Sequence, residues 1–144
     1  MIAALLGAVL DGVVVTGSGL LGGIYLAFSV AVLPGLRRRP PGEATATMRE
    51  VNRAILNPVF GLLFGGTALA CAALLVTAVL ARDPLRIAGA LAGLAGFVVT
   101  PSVNIPINTA VDRGGEWGPL ARRWTVANHV RAATSALTVV LLIP

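Results

Sequence analysis

Charge is scarce in this 144-residue chain: Asp, Glu, Lys and Arg together make 12% of it, where a soluble domain carries about 25%. Hydrophobic residues make 56%, and the mean hydropathy is +0.87. A water-soluble globule of one-domain size cannot cover its surface with so few charges, and the same numbers exclude disorder. The single cysteine, Cys71, excludes a disulfide framework and a multi-cysteine zinc site. Lysine is missing altogether: all eleven basic residues are arginine, against six acids, for a net charge of +5. In a soluble domain that balance raises nucleic-acid binding. Here the arginines lie between apolar runs, the pattern of membrane orientation, so no nucleic-acid partner is expected. What remains is an integral protein of a lipid bilayer.

Residues Gly12–Gly35, Ala54–Ala81 and Ile87–Val111 carry no charge, and each exceeds the ~20 residues that cross a ~30 Å hydrocarbon core as a helix. A fourth run, Ala132–Pro144, is too short unless it begins near Trp124 and draws His129 and Arg131 into the membrane. Backbone polar groups in lipid must be satisfied within the segment, and the alternation of barrel strands is absent. The expected fold is therefore all-α, an integral membrane four-helix bundle in a single domain, 1–144. Its spans are 12–34, 58–80, 87–108 and 124–143. Residues 43–56 read as an amphipathic cytoplasmic helix, with Met48, Val51 and Ile55 as its stripe and Asn52 among them. Met1–Leu10 lacks the basic start of a signal peptide and reads as part of, or a short approach to, the first helix.

The loops after helices one and three hold Arg37, Arg38, Arg39, Arg49, Arg53, Arg113, Arg122 and Arg123, whereas the loop after helix two holds only Arg82 and Arg86. Positive loops stay inside, so both termini are expected outside a plasma (inner) membrane, with the long loops cytoplasmic. The string Gly17-Ser-Gly19-Leu-Leu-Gly22 matches a dinucleotide fingerprint in letters only, since no strand precedes it. Close helix packing is the expectation for the pairs Gly19 and Gly23, Gly61 and Gly65, and Gly89 and Gly93.

Some polar residues are not explained by a membrane. Helix three ends in Thr100-Pro-Ser-Val-Asn104-Ile-Pro-Ile-Asn108, whose two asparagines share a helical face and whose prolines each remove a backbone donor. In helix four, Trp124, Asn128, Arg131 and Ser135 share one face, with His129 about a quarter turn away. An intramembrane arginine usually faces the bundle interior. Arg131 is expected to bond to Asn104, Asn108 or a carbonyl freed by Pro106; the alternative is snorkelling beside a Trp124 anchor. Ser29 and Pro34 close helix one at the same end, with Tyr25 one turn deeper. Asn57-Pro58 reads as the cap and first residue of helix two.

The strings Gly23-Ile-Tyr25-Leu-Ala-Phe28-Ser29 through Pro34, Met48 through Asn52, Asn104-Ile-Pro106-Ile-Asn108 and Trp124 through Arg131 resemble the anthrone oxygenase family of small four-helix membrane proteins. That resemblance covers nearly the whole chain. It implies oxidation of an anthrone or other phenolic carbon acid by dioxygen, with no metal and no cofactor.

The residues permit such chemistry. It needs a base, and His129 is the one imidazole. Arg131, Asn104, Asn108 and Asn128 are candidate donors to an enolate oxygen. Tyr25, Phe28, Ser29, Asn52 and Trp124 are candidates to line an aromatic pocket. One histidine and one distant cysteine cannot fill a metal's coordination shell. Two other classes stay open: a non-catalytic partner or lipid-binding protein, using the same groups as interhelical glue, and a proton-coupled transporter, for which Asp11 is the sole membrane carboxylate. Self-association into a homo-oligomer also stays open.

Overall fold

The computed structural model describes residues 2–143, and all regular structure among them is helical. The first rod is α1 (Ile2–Ala27), which passes through a π-helical turn, Phe28–Val32, into α2 (Leu33–Arg37). It starts ten residues before the expected position 12, because nothing in the apolar N-terminal run interrupts a helix. The short α3 (Pro41–Ile55) follows, then the second rod, α4 (Pro58–Ala81). The third comprises α5 (Pro84–Val99), a second π-helical turn, Thr100–Asn104, and α6 (Ile105–Asp112). The fourth is α7 (Trp117–Leu142), which begins seven residues before Trp124.

Local chemistry sets these bounds. The Asn57 side chain accepts from the Phe60 amide at 3.0 Å and Pro58 opens α4, the capping pair that the sequence predicts. The Asp83 carboxylate accepts from the amides of Leu85 and Arg86, both at 3.1 Å, ahead of Pro84. Between α4 and that cap, Arg82 turns the chain in a left-handed conformation, φ 56°.

The π turns have a shared cause. Each begins six residues before a proline, Phe28 before Pro34 and Thr100 before Pro106. A proline in a helix lacks its donor and crowds the carbonyl one turn earlier. A locally widened turn relieves that crowding without ending the helix. The Leu33 amide accordingly reaches Phe28 O, and the Ile105 amide reaches Thr100 O, each five residues back. The third rod, whose prolines each remove a backbone donor, thus runs on past residue 100 as a continuous, bulged helix.

Three of the rods, over Leu5–Arg37, Pro58–Ala81 and Pro84–Asp112, are long and apolar enough to cross a membrane. At 26 residues α7 matches them in length, but Asn128, His129 and Arg131 interrupt its apolar run. The rods pack in the cyclic order α1, α4, α5, α7. One core lies around Leu74, Cys71 and Ala90; the other gathers Leu36, Met48, Val111, Trp117 and Trp124 at the end where α3 lies. α3 packs against α6 and α7 there. Its Arg49 donates to Val111 O at 3.0 Å, and its Thr45 hydroxyl accepts from the Trp117 amide at 3.1 Å. Outside, the rods present apolar side chains: Leu62 is 77% exposed, Leu69 75% and Val140 71%. An exterior of that kind suits acyl chains, not water.

The glycines correct the expected pairing. A Cβ on Gly89 or Gly93 would press on Leu142, or on Cys71 and Thr138, so these two do mark close packing. Gly23, Gly61 and Gly65 have no such neighbour within 4 Å, and Gly19 only just touches Val139. Gly17, Gly22 and Gly96 instead make close approaches between rods, to Thr67, Ser135 and Thr134.

Candidate functional site

At the α3 end, a cavity of about 250 Å³ opens between α3, the start of α4, the two π-turn segments and α7. Its walls are mainly apolar: Met48, Val51 and Ile55 from α3, Phe60 and Phe64 from α4, Phe28 and Trp124 from the opposite side. Trp124 is fixed by its neighbours. Its ring lies 5.5 Å from Phe28 and 5.7 Å, edge to face, from Trp117, and its indole N–H donates to Asn108 Oδ1 at 2.8 Å.

Polar groups enter this apolar wall from three elements. Asn52 of α3 is 4% exposed and its Nδ2 has no partner. Asn104, at the end of the second π turn, is 1% exposed, and neither its Nδ2 nor its Oδ1 has a partner. Arg131 of α7 is buried, with Nε unpartnered. Its NH2 donates to Asn128 Oδ1 at 2.9 Å, and its NH1 makes a long 3.5 Å contact to the Thr100 hydroxyl. The guanidinium stacks 4.3 Å from the Tyr25 ring centre and 5.5 Å from that of Trp124. These cation–π contacts replace part of the hydration that a buried arginine gives up.

Behind the wall, Asn128 ties α7 to the first π turn. Its Nδ2 donates to the Tyr25 carbonyl at 2.8 Å and to the Ser29 hydroxyl at 2.9 Å. The Ser29 hydroxyl in turn donates to that same carbonyl at 3.1 Å.

Of the ten residues singled out in the sequence, seven line the cavity: Tyr25, Phe28, Asn52, Asn104, Asn108, Trp124 and Arg131. Ser29 and Asn128 stand behind it as supports. His129 does not join them. It is exposed and absent from the cavity wall, because one residue step from the buried Asn128 turns it about 100° toward the outside of α7. The expected base is therefore not at the site. The partners expected for Arg131 are also corrected: it bonds to Asn128 and Thr100 and not to Asn104, Asn108 or a proline-freed carbonyl. Thr100, Phe60 and Phe64 are wall residues that the sequence did not single out; Phe60 and Phe64, one turn apart, were the available signal.

Among the described residues, no group of three His, Cys, Asp or Glu side chains is placed to hold a metal ion. Asp11 lies far along α1 from this cavity, in an ion pair with Arg86 at 3.0 Å. No family model, curated protein or solved structure matches the chain.

Proposed function

We propose that this chain is a four-helix membrane bundle whose α3-end cavity binds a planar, mostly apolar molecule bearing a keto or phenolic oxygen. The observation that carries this reading is Asn104: a fully buried amide with donor and acceptor both unpartnered, set in an apolar cavity wall. An unsatisfied buried polar atom costs about 1–3 kcal/mol. Three such residues around one cavity make sense if a ligand completes them. A cavity of about 150 Å³ accepts benzene, so 250 Å³ suits a small fused aromatic system. In this reading α7 is the fourth span, both termini are outside a plasma (inner) membrane, and the site faces the cytoplasm, as the loop arginines direct.

The chemistry proposed is that of the family the motifs resemble: cofactor-free oxygenation of an anthrone-type or other phenolic carbon acid. The carbon acid loses a proton to water at the cavity mouth, and Arg131 and the Asn104 amide hold the resulting enolate oxygen. The enolate carbon passes an electron to dioxygen and a C–O bond forms; loss of water from the peroxide leaves a ketone. One CH2 and one O2 thus become one C=O and one H2O. His129 has no part in these steps.

Among the described residues the wall holds no imidazole and no carboxylate, which favours a second reading, a protein that binds the same ligand class without turning it over. Dioxygen uptake by the purified protein with an anthrone-type carbon acid separates the two. Accelerated uptake that Asn104→Leu abolishes supports the oxygenase. Saturable binding without uptake supports the second reading, and absence of both overturns the proposal.

A further inference from the structure

A second concave site lies on the outside of the bundle, away from the cavity. It is a groove of about 580 Å³ between the α5 end of the second π turn and the first half of α7. Val99 and Val103 form one side and Val126 and Val130 the other, and Arg122 and Arg123 join the lining about one turn nearer the start of α7, with Pro119 beyond them. Both arginines are exposed. The ion pairs among the described residues are Arg39–Glu43, Arg53–Glu50 and Arg86–Asp11, so neither groove arginine is neutralised by one. Among the described residues, no carboxylate lines the groove.

We propose that this groove is a binding site for an anionic phospholipid, its phosphate between Arg122 and Arg123 and one acyl chain along the valines. The inference rests on the membrane placement above, but not on any activity of the cavity.

Three features fit that occupant. The charge is complementary, and an arginine offers a planar fork of donors to phosphate. The length is right: from Arg122 to Val130 is eight residues, about 12 Å at helical rise, close to one leaflet of a ~30 Å core. The sidedness is right as well. Arg122 and Arg123 belong to the arginine-rich end assigned to the cytoplasm, where anionic lipids are concentrated. Loop arginines that serve orientation alone need no groove beneath them; here polar and apolar parts are joined as they are in a phospholipid.

The test measures thermal unfolding of the full chain in nanodiscs of phosphatidylcholine with and without phosphatidylglycerol, alongside lipid retained after purification. Phosphatidylglycerol is expected to raise the melting temperature and to be retained preferentially. Arg122→Gln and Arg123→Gln should each weaken retention roughly fivefold, while Arg38→Gln should not. Val126→Trp fills the groove without altering charge and should also abolish the preference; Val130→Trp serves the same purpose should the first variant not fold. A preference that survives groove filling is surface charge alone and overturns the site. Equal behaviour of the two lipids overturns it too. So does a change of oligomeric state on groove filling, which would make a second copy of the chain the occupant.

Discussion

Arg131 donates to the Asn128 side-chain oxygen, one turn away on α7, at 2.9 Å. Through that bond one turn of α7 holds both π-helical turns. Asn128 reaches Ser29 in the first, at 2.9 Å, and Arg131 reaches Thr100 in the second, at 3.5 Å. The two bulges produced by Pro34 and Pro106 are thus drawn to a common cross-link, and the cavity lies beside it.

This arrangement predicts that Arg131→Ala lowers the melting temperature in detergent. The substitution strands Asn128 Oδ1 and removes the stack on Tyr25, a loss on the order of 1–3 kcal/mol. Arg131→Lys should recover little, since an ammonium cannot reproduce the planar stack while bonding to Asn128. An unchanged melting point in the alanine variant would return Arg131 to the snorkelling role.

Asn104 should behave in the opposite way. Asn104→Leu removes two unpartnered buried polar atoms at similar volume, so the ligand-free protein is expected to melt at the same or a higher temperature. Ligand binding should weaken about 5–150-fold, the equivalent of the lost hydrogen bonds. A stability loss without a binding loss, read by thermal scanning beside a binding titration, would make Asn104 a packing residue only. Function maintained against local stability is the usual mark of a binding site.

His129→Gln is expected to leave dioxygen uptake and ligand affinity within about twofold of the parent, against the 10²–10⁴-fold loss that removal of a general base brings. A large drop in uptake with affinity intact would show that the imidazole swings into the cavity during turnover.

The contrast between His129 and Arg131 shows what was legible in the sequence. Helical periodicity puts Trp124, Asn128 and Arg131 on one buried face and turns His129 aside; only the chemical need for a base points to the imidazole. Composition and uncharged runs gave the all-helical class and the three apolar rods. The capping pair Asn57-Pro58 placed one boundary to the residue. The π turns were not legible, because Pro34 and Pro106 announce a disturbed helix without saying how it heals. The partners of Arg131 were not legible either, since they follow from that bulged register.

The proposed topology rests on eight arginines at one end of the bundle against two at the other. In a Cys71→Ala background, a cysteine at position 38 should be labelled only after the cytoplasmic side is exposed. One at position 83, in the α4–α5 turn, should react from outside in intact cells. The reverse pattern would invert the bundle and move the cavity to the outer leaflet.

The glycines give a prediction in which identical substitutions take opposite signs. A Cβ on Gly93 would come within 2.9 Å of Cys71 Sγ and 3.2 Å of the Thr138 hydroxyl, and both neighbours are fully buried. Overpacking of this kind costs about 1–3 kcal/mol, more than the ~1 kcal/mol of helix propensity that alanine adds over glycine. Gly93→Ala should therefore lower the melting temperature. A Cβ on Gly65 meets nothing within 4 Å, so Gly65→Ala should keep the propensity gain and raise it. Sequence spacing alone assigns both glycines to close helix contacts and predicts loss at both. Equal loss at the two positions would mean that a second surface, a lipid or another copy of the chain, packs against α4 at Gly65.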